Sequence, residues 1–269
     1  MNPMDVVFEL FEELPRQGPG NAEATRRALA CVPDLPDDAV ILDAGCGTGA
    51  QTLVLAQGTK GRVLAVDQHE SFVAKLTQQA TDAGLHERIL PLRADMTRLP
   101  FPEGCFDLIW SEGAIYTIGL RTGLKGWRRL LKPRGSLVFS ELSWLVDAPP
   151  AEAAAFWSTA YPAMQTVDRN CAIALEEGYR VVTQFPLPDE GWWQGYYEPM
   201  LVRLPVLREQ YASDPVALRL LADQEREIDI YRRYSQSFGY VFYVLQRQND
   251  RVWRTSGIHR RVVGFEEAN

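Results

Sequence analysis

The chain is poor in the residues that build metal centres and disulfide frameworks. Four cysteines (Cys31, Cys46, Cys105 and Cys171) and three histidines are scattered over 269 residues at no ligand spacing. This predicts no metal site, and unpaired thiols fit a reducing compartment, so the cytoplasm is the expected location. No apolar run approaches the ~20 residues that a membrane span needs. Met1-Asn2-Pro3-Met4-Asp5 sets no basic region before an apolar block, so no signal peptide is expected. Basic charge is also short: 28 Lys and Arg stand against 35 Asp and Glu, a net charge of −7. A surface of that sign repels DNA and RNA, which are not expected as partners. Lys125, Arg128, Arg129, Lys132 and Arg134 cluster in sequence and read most simply as a solvated helix face.

What is present is the balance of a globular chain, 46% hydrophobic and 23% charged. Its organising stretch is Ile41-Leu42-Asp43-Ala44-Gly45-Cys46-Gly47-Thr48-Gly49-Ala50. Ala39-Val40-Ile41-Leu42 before it suits a buried parallel strand, and Gln51 to Ala56 after it can open a helix. Gly45, Gly47 and Gly49 between them allow a tight turn and close approach by another molecule. Strand, glycine turn and helix start make a nucleotide-type site. Gly45 to Ala50 also fits the dinucleotide pattern G-x-G-x-x-(G/A), so a nicotinamide cofactor stays open on these residues alone.

Acidic residues follow at the ends of the next strands. Arg62-Val63-Leu64-Ala65-Val66-Asp67 reads as the second strand, and Ile89 to Met96 as a third running into Asp95. Asp67 lies 18 residues after Gly49, where a carboxylate can accept both hydroxyls of a ribose. Asp43, Asp67 and Asp95 thus end three successive strands. Like charges gathered on one sheet edge cost stability unless a cationic, hydroxyl-rich ligand sits among them.

Asp43-x-Gly45-x-Gly47-x-Gly49 resembles motif I of the class I S-adenosylmethionine (SAM) methyltransferases. Leu99-Pro100-Phe101-Pro102 with Phe106-Asp107 is similar to the same stretch in small-molecule methyltransferases of the ubiquinone and menaquinone biosynthesis type. Trp110-Ser111-Glu112-Gly113-Ala114-Ile115-Tyr116 resembles a narrower bacterial group, as does the Arg16-Gln17-Gly18-Pro19-Gly20 turn. Leu131-Lys132-Pro133-Arg134-Gly135 is again family-like, and the resemblance covers residues 16–145. The Asn-Pro-Pro-Tyr or Asp-Pro-Pro-Tyr of nucleic-acid amino methylation is missing.

The resemblance implies an α/β, Rossmann-like sheet of seven strands flanked by helices, the seventh antiparallel between the fifth and sixth. The whole chain, 1–269, is expected to be one methyltransferase domain. Its parts are an N-terminal helical lid (1–34), a SAM-binding core (35–145) and a C-terminal half (146–269). A helical insertion over about 188–237 separates strands six and seven. SAM is the implied cofactor. Asp43 is expected near its methionine end, often indirectly, with Gly45, Gly47 and Gly49 beside it. Asp67 and Gln68 are expected at the ribose, Asp95 and Met96 at the adenine. Gly18 and Ser111 complete the expected cofactor contacts.

The implied reaction is metal-independent in-line transfer of a methyl group to a small-molecule acceptor. If the acceptor needs a base, Glu112 and Tyr116 after strand four are the first candidates, with Glu141 after strand five third. Trp192, Trp193 and Tyr196 are candidates for the acceptor pocket. A non-catalytic SAM-binding regulatory protein and an NAD-dependent oxidoreductase are the alternatives, and a homodimer is left open.

The remaining elements read as follows. Val7, Leu10, Phe11 and Leu14 mark one helical stripe, and Asn21 reads as the N-cap of a second helix running to about Cys31. Glu70 to Gly84 is a helix, and His69 and His86 read as surface or capping residues. Leu131 to Gly135 reads as a turn before the fifth strand. Ala151 to about Tyr179 reads as helical, interrupted near Pro162. Tyr179–Phe185 and Tyr240–Arg247 are the sixth and seventh strands, with a helix from Asp214 to Tyr234 between them. The polar stretch from Gln248 to Asn269 is expected to extend or close the domain.

Overall fold

A computed structural model describes residues 5–249, so the expectation for the tail lies outside the described residues beyond Asn249. The chain begins with two helices, α1 (Asp5–Glu12) and α2 (Ala22–Ala30). Asn21 caps α2, its Oδ1 accepting from the Ala24 N–H at 2.7 Å. Asn21→Ala should cost about 1 kcal/mol of stability, read by denaturant titration.

Strands and helices then alternate: β1 (Val40–Ala44), α3 (Ala50–Gly58), β2 (Arg62–Asp67), α4 (Glu70–Asp82), β3 (Ile89–Arg93) and β4 (Phe106–Ser111). After a single 3-10 turn at Ile115–Thr117 come α5 (Leu120–Arg128) and β5 (Leu131–Trp144). α6 (Ala151–Ala160), β6 (Gln165–Thr166), α7 (Val167–Glu176) and β7 (Tyr179–Pro186) follow. α8 (Glu190–Trp192) continues through a π-helical segment, Trp193–Tyr197, into α9 (Glu198–Gln210). α10 (Pro215–Tyr234) and β8 (Phe238–Arg247) close the described chain. None of these helices is long and apolar enough to cross a membrane.

The main sheet runs β3-β2-β1-β4-β5-β8-β7, with β1 to β5 parallel and β8 antiparallel to both its neighbours. That is the expected Rossmann-like topology. β1 and β4 are interior and buried on both faces, hence their nearly unbroken apolar runs. Ile41, Val63, Trp110 and Val138 pack on one face beneath α1, α2, α9 and α10. Leu42, Ile109, Leu137 and Phe139 pack on the other, against α5 and α7.

Four expectations need correction. The sheet has eight strands, because the two-residue β6 pairs with Ser143 and Trp144 at the end of β5. It follows the interruption expected near Pro162, and Thr166 caps α7 through its Oγ1. The family-like link at Leu131–Gly135 is already strand, with Arg134 at φ 64° where register shifts against β4. β3 ends at Arg93, so Asp95 and Met96 lie in the loop beyond it. The basic cluster is not one face: Lys132 and Arg134 sit on β5 and pair with Asp107 and Asp34, each at 2.8 Å.

The N-terminal segment is fastened down over the sheet edge. α1 packs against α9 and α10, and the Gly20 N–H donates to the Gly191 carbonyl at 2.9 Å.

Candidate functional site

A cavity of about 980 Å³ opens over the carboxyl ends of β1, β2 and β4. Its floor is the glycine turn. Gly45, Gly47 and Gly49 have φ values of 77°, 54° and 95°, in the left-handed region that side chains rarely adopt. A Cβ on Gly45 would also lie 2.4 Å from that of Ala114, so no side chain fits there.

Asp67 is held in a fixed pose beside this turn. One carboxylate oxygen accepts from the Gly47 N–H at 3.0 Å, the other from the His69 N–H at 2.9 Å. Each oxygen keeps lone pairs for a hydroxyl, and Asp67 and Gln68 both line the cavity. Asp95 Oδ1 accepts from the backbone N–H and Oγ1 of Thr97, at 2.8 and 2.7 Å. Those bonds, the backbone one first, hold its carboxyl below the usual range. Oδ2 takes no protein hydrogen bond among the described residues, and Met96 lies alongside.

Asp43 stands one layer behind the wall. It is fully buried and accepts from Thr52 Oγ1 at 2.6 Å and Gln51 Nε2 at 3.3 Å. Burial pushes its carboxyl up to about 7 against the pull of those two bonds. It touches the cavity only through Gln51, which does line it. Gly49, Ser111 and Trp193 do not reach the cavity. A Cβ on Gly49 would strike Leu76 of α4 at 2.1 Å, so this glycine serves packing between the two helices. Ser111 Oγ donates to the Ala44 carbonyl at 2.9 Å across the strand pair. Trp193 packs edge-on against Tyr197, with Arg232 over its face.

The N-terminal segment forms the roof. Gly18 lines the cavity with Arg16, Gln17 and Pro19. Gln17 Oε1 accepts from both the backbone N–H and the Oγ1 of Thr48, each at 3.0 Å, seating the segment on the glycine turn. His69 carries a packing role here, tilted against Phe8 and Phe72 at 4.4 and 5.2 Å.

Glu112 is the second fastening. It accepts from Arg16 Nη2 at 2.5 Å, Thr25 Oγ1 at 2.7 Å and Trp110 Nε1 at 2.9 Å, with its side chain 2% exposed. A carboxylate so engaged is a clamp between cap and sheet, and it also lines the cavity. Tyr116 lines the cavity, and burial, then the nearby Glu227 and Glu141 charges, hold its phenol above the usual value. At neutral pH it is a hydroxyl donor, not a phenolate. Trp192 and Tyr196 do line the cavity as expected from the sequence.

Trp157, Tyr161, Glu227 and Tyr240 also line this half, and the sequence reading did not single them out. A signal for Glu227 exists. On α10 the buried Ala217, Leu221, Ile228 and Tyr231 repeat at helical spacing, and Gln224 and Glu227 interrupt that stripe with polar groups facing inward. Among the described residues no group of three His, Cys, Asp or Glu side chains could hold a metal.

Comparison with known proteins bears on the fold. Residues 41–135 match the family model described as a methyltransferase domain. The uncharacterized methyltransferase YodH of Bacillus subtilis (strain 168) is 32% identical over 134 residues, 50% of this chain and 56% of its own length. The chain thus spans about half the length of that relative. A SAM-dependent methyltransferase from Geobacter sulfurreducens, solved with S-adenosyl-L-homocysteine, superposes with a TM-score of 0.76 at 18% identity, over 91% of this chain and 98% of that one. The [4+2]-cyclase SpnF superposes with a TM-score of 0.73 at 17% identity, over 91% and 93%. The chain therefore has the Rossmann-like methyltransferase fold, and its strand-and-turn core matches the methyltransferase-domain model.

Proposed function

We propose that the chain is a SAM-dependent methyltransferase that acts on a small-molecule acceptor without a metal. The observation that carries this reading is the pose of Asp67. Its two oxygens are fixed by backbone N–H groups beside a glycine turn that no side chain can fill. A ribose diol is the group that such a carboxylate receives.

The donor set fits the rest of the cofactor. Asp95 Oδ2 can accept from an adenine amino group, and Met96 can cover the ring. Arg16 is the one lysine or arginine among the described cavity-lining residues, so the carboxylate of the methionine end belongs beside it. When bound, SAM supplies an electrophilic methyl carbon whose C–S electron pair leaves with sulfur. The chain's own part is to orient the acceptor and keep water out. The roof segment of Arg16 to Pro19 and the rings around Tyr116 do both.

The SpnF likeness favours a second reading, a SAM-binding protein that transfers no methyl group, since one fold supports several chemistries. Two measurements separate the possibilities. Calorimetry should show S-adenosylhomocysteine binding and no NADH binding; the reverse result would establish the oxidoreductase instead. Radiolabel from [methyl-14C]SAM should then move to a small-molecule extract, and label that never leaves SAM favours the second reading.

A further inference from the structure

The half of the cavity beyond Ala114 has a distinct chemistry. Six aromatic side chains wall it: Tyr116, Trp157, Tyr161, Trp192, Tyr196 and Tyr240. They come from four separate segments, so the enclosure is a product of the whole fold. Glu227 of α10 also lines the cavity, and its Oε1 accepts from the Tyr197 hydroxyl at 2.9 Å. A second carboxylate stands directly behind the wall. Glu141 is 2% exposed, and its Oε1 accepts from the hydroxyl of the wall residue Tyr161 at 2.6 Å. Its Oε2 is buried without a partner. The cavity's one lysine or arginine among the described residues, Arg16, is already paired with Glu112 and so does not balance these two acids.

Two polar donors are also left over. The indole N–H groups of Trp157 and Trp192 belong to cavity-lining residues, are buried, and have no hydrogen-bond partner. A buried donor without a partner is costly, and an oxygen on a ligand would satisfy it.

These features select a ligand. Ring faces carry the negative end of the aromatic quadrupole and attract cations. A flat neutral acceptor would use the rings but give no counterpart to the buried carboxylates. An anionic acceptor would be repelled by them. Burial pushes both Glu141 and Glu227 up to about 7, and a cation beside them restores their ionised form.

We propose that the acceptor is a cationic amine bearing a polar oxygen, its ammonium group held among these rings against the carboxylate of Glu227. The inference rests on the methyltransferase reading and names the substrate class of that same site. Glu227 has a second use if the amine arrives with a proton. The nitrogen has no free electron pair until that proton leaves, and the Glu227 carboxylate is the cavity-lining base placed to take it.

The test uses the full chain saturated with S-adenosylhomocysteine. Choline and benzyltrimethylammonium are titrated against their neutral isosteres with carbon in place of nitrogen, 3,3-dimethylbutan-1-ol and (2,2-dimethylpropyl)benzene. Binding is read from tryptophan fluorescence, which Trp157 and Trp192 in the wall will report. At least one cation should bind at least tenfold tighter than its isostere. Glu227→Gln should remove most of that preference and leave isostere binding unchanged. Tyr116→Leu, a change at a residue 42% exposed that does not threaten folding, should weaken the cation severalfold. Equal binding within both pairs, or a preference that survives both substitutions, overturns the inference while the methyltransferase reading stands. Failure of S-adenosylhomocysteine itself to bind overturns both.

Discussion

Glu112→Ala should lower the stability of the fold by about 3–5 kcal/mol, the usual cost of removing one partner from a buried ion pair. Urea titration at neutral pH is the measurement. The size follows from what the carboxylate holds. Arg16 is only 11% exposed on its side chain, and without Glu112 its guanidinium stays enclosed with no counter-charge. The Trp110 indole N–H loses its acceptor as well, and the Thr25 hydroxyl keeps only the Asn21 carbonyl at 3.1 Å. Glu112→Gln, which keeps an acceptor and removes the charge, should fall between the variant and the wild type. A loss under about 1 kcal/mol would mean that water reaches Arg16 and that the pair behaves as an exposed one. The same variant should also weaken S-adenosylhomocysteine binding, because Arg16 belongs to the segment that roofs the cavity.

Asp67→Ala should weaken S-adenosylhomocysteine binding by roughly 10- to 150-fold, equivalent to about 1.5–3 kcal/mol for hydrogen bonds to a charged group. Two effects add. The hydroxyl acceptors go, and so does the brace between the Gly47 and His69 N–H groups that shapes the turn. Calorimetry gives the affinity, and a thermal melt on the same sample separates lost contacts from a collapsed turn. Unchanged affinity would remove Asp67 from the site and with it the main support for the cofactor assignment.

Sequence and structure agree best where one local cause decides. Asn21 as a cap, Arg62–Asp67 as a strand and the glycine turn each depend on a few neighbouring residues, and each stands in the structure as read. Residues whose surroundings come from elsewhere in the chain were harder. Glu112 reads as a candidate base because it follows β4, but its partners Arg16 and Thr25 are 96 and 87 residues away. Only the folded cap shows that its charge is already taken. Glu227 sits on a helix that the sequence locates well, yet nothing local says that its stripe faces a cavity and not a core. Trp192 and Trp193 are adjacent and alike in sequence. A π-helical segment starts between them, and only the first reaches the cavity. The two-residue β6 exists solely because the far end of β5 offers it a partner.

The place of β8 bears on how this protein is made. It sits inside the sheet, pairing with β5 over nine positions and with β7 on its other side, yet it is the last strand described. On the ribosome, β5 and β7 must wait with open hydrogen-bonding edges until residue 247 has left the exit tunnel. Nascent chains halted before Phe238 should therefore be sticky, chaperone-dependent species, and the final closure of the sheet should come after synthesis of β8, not during it.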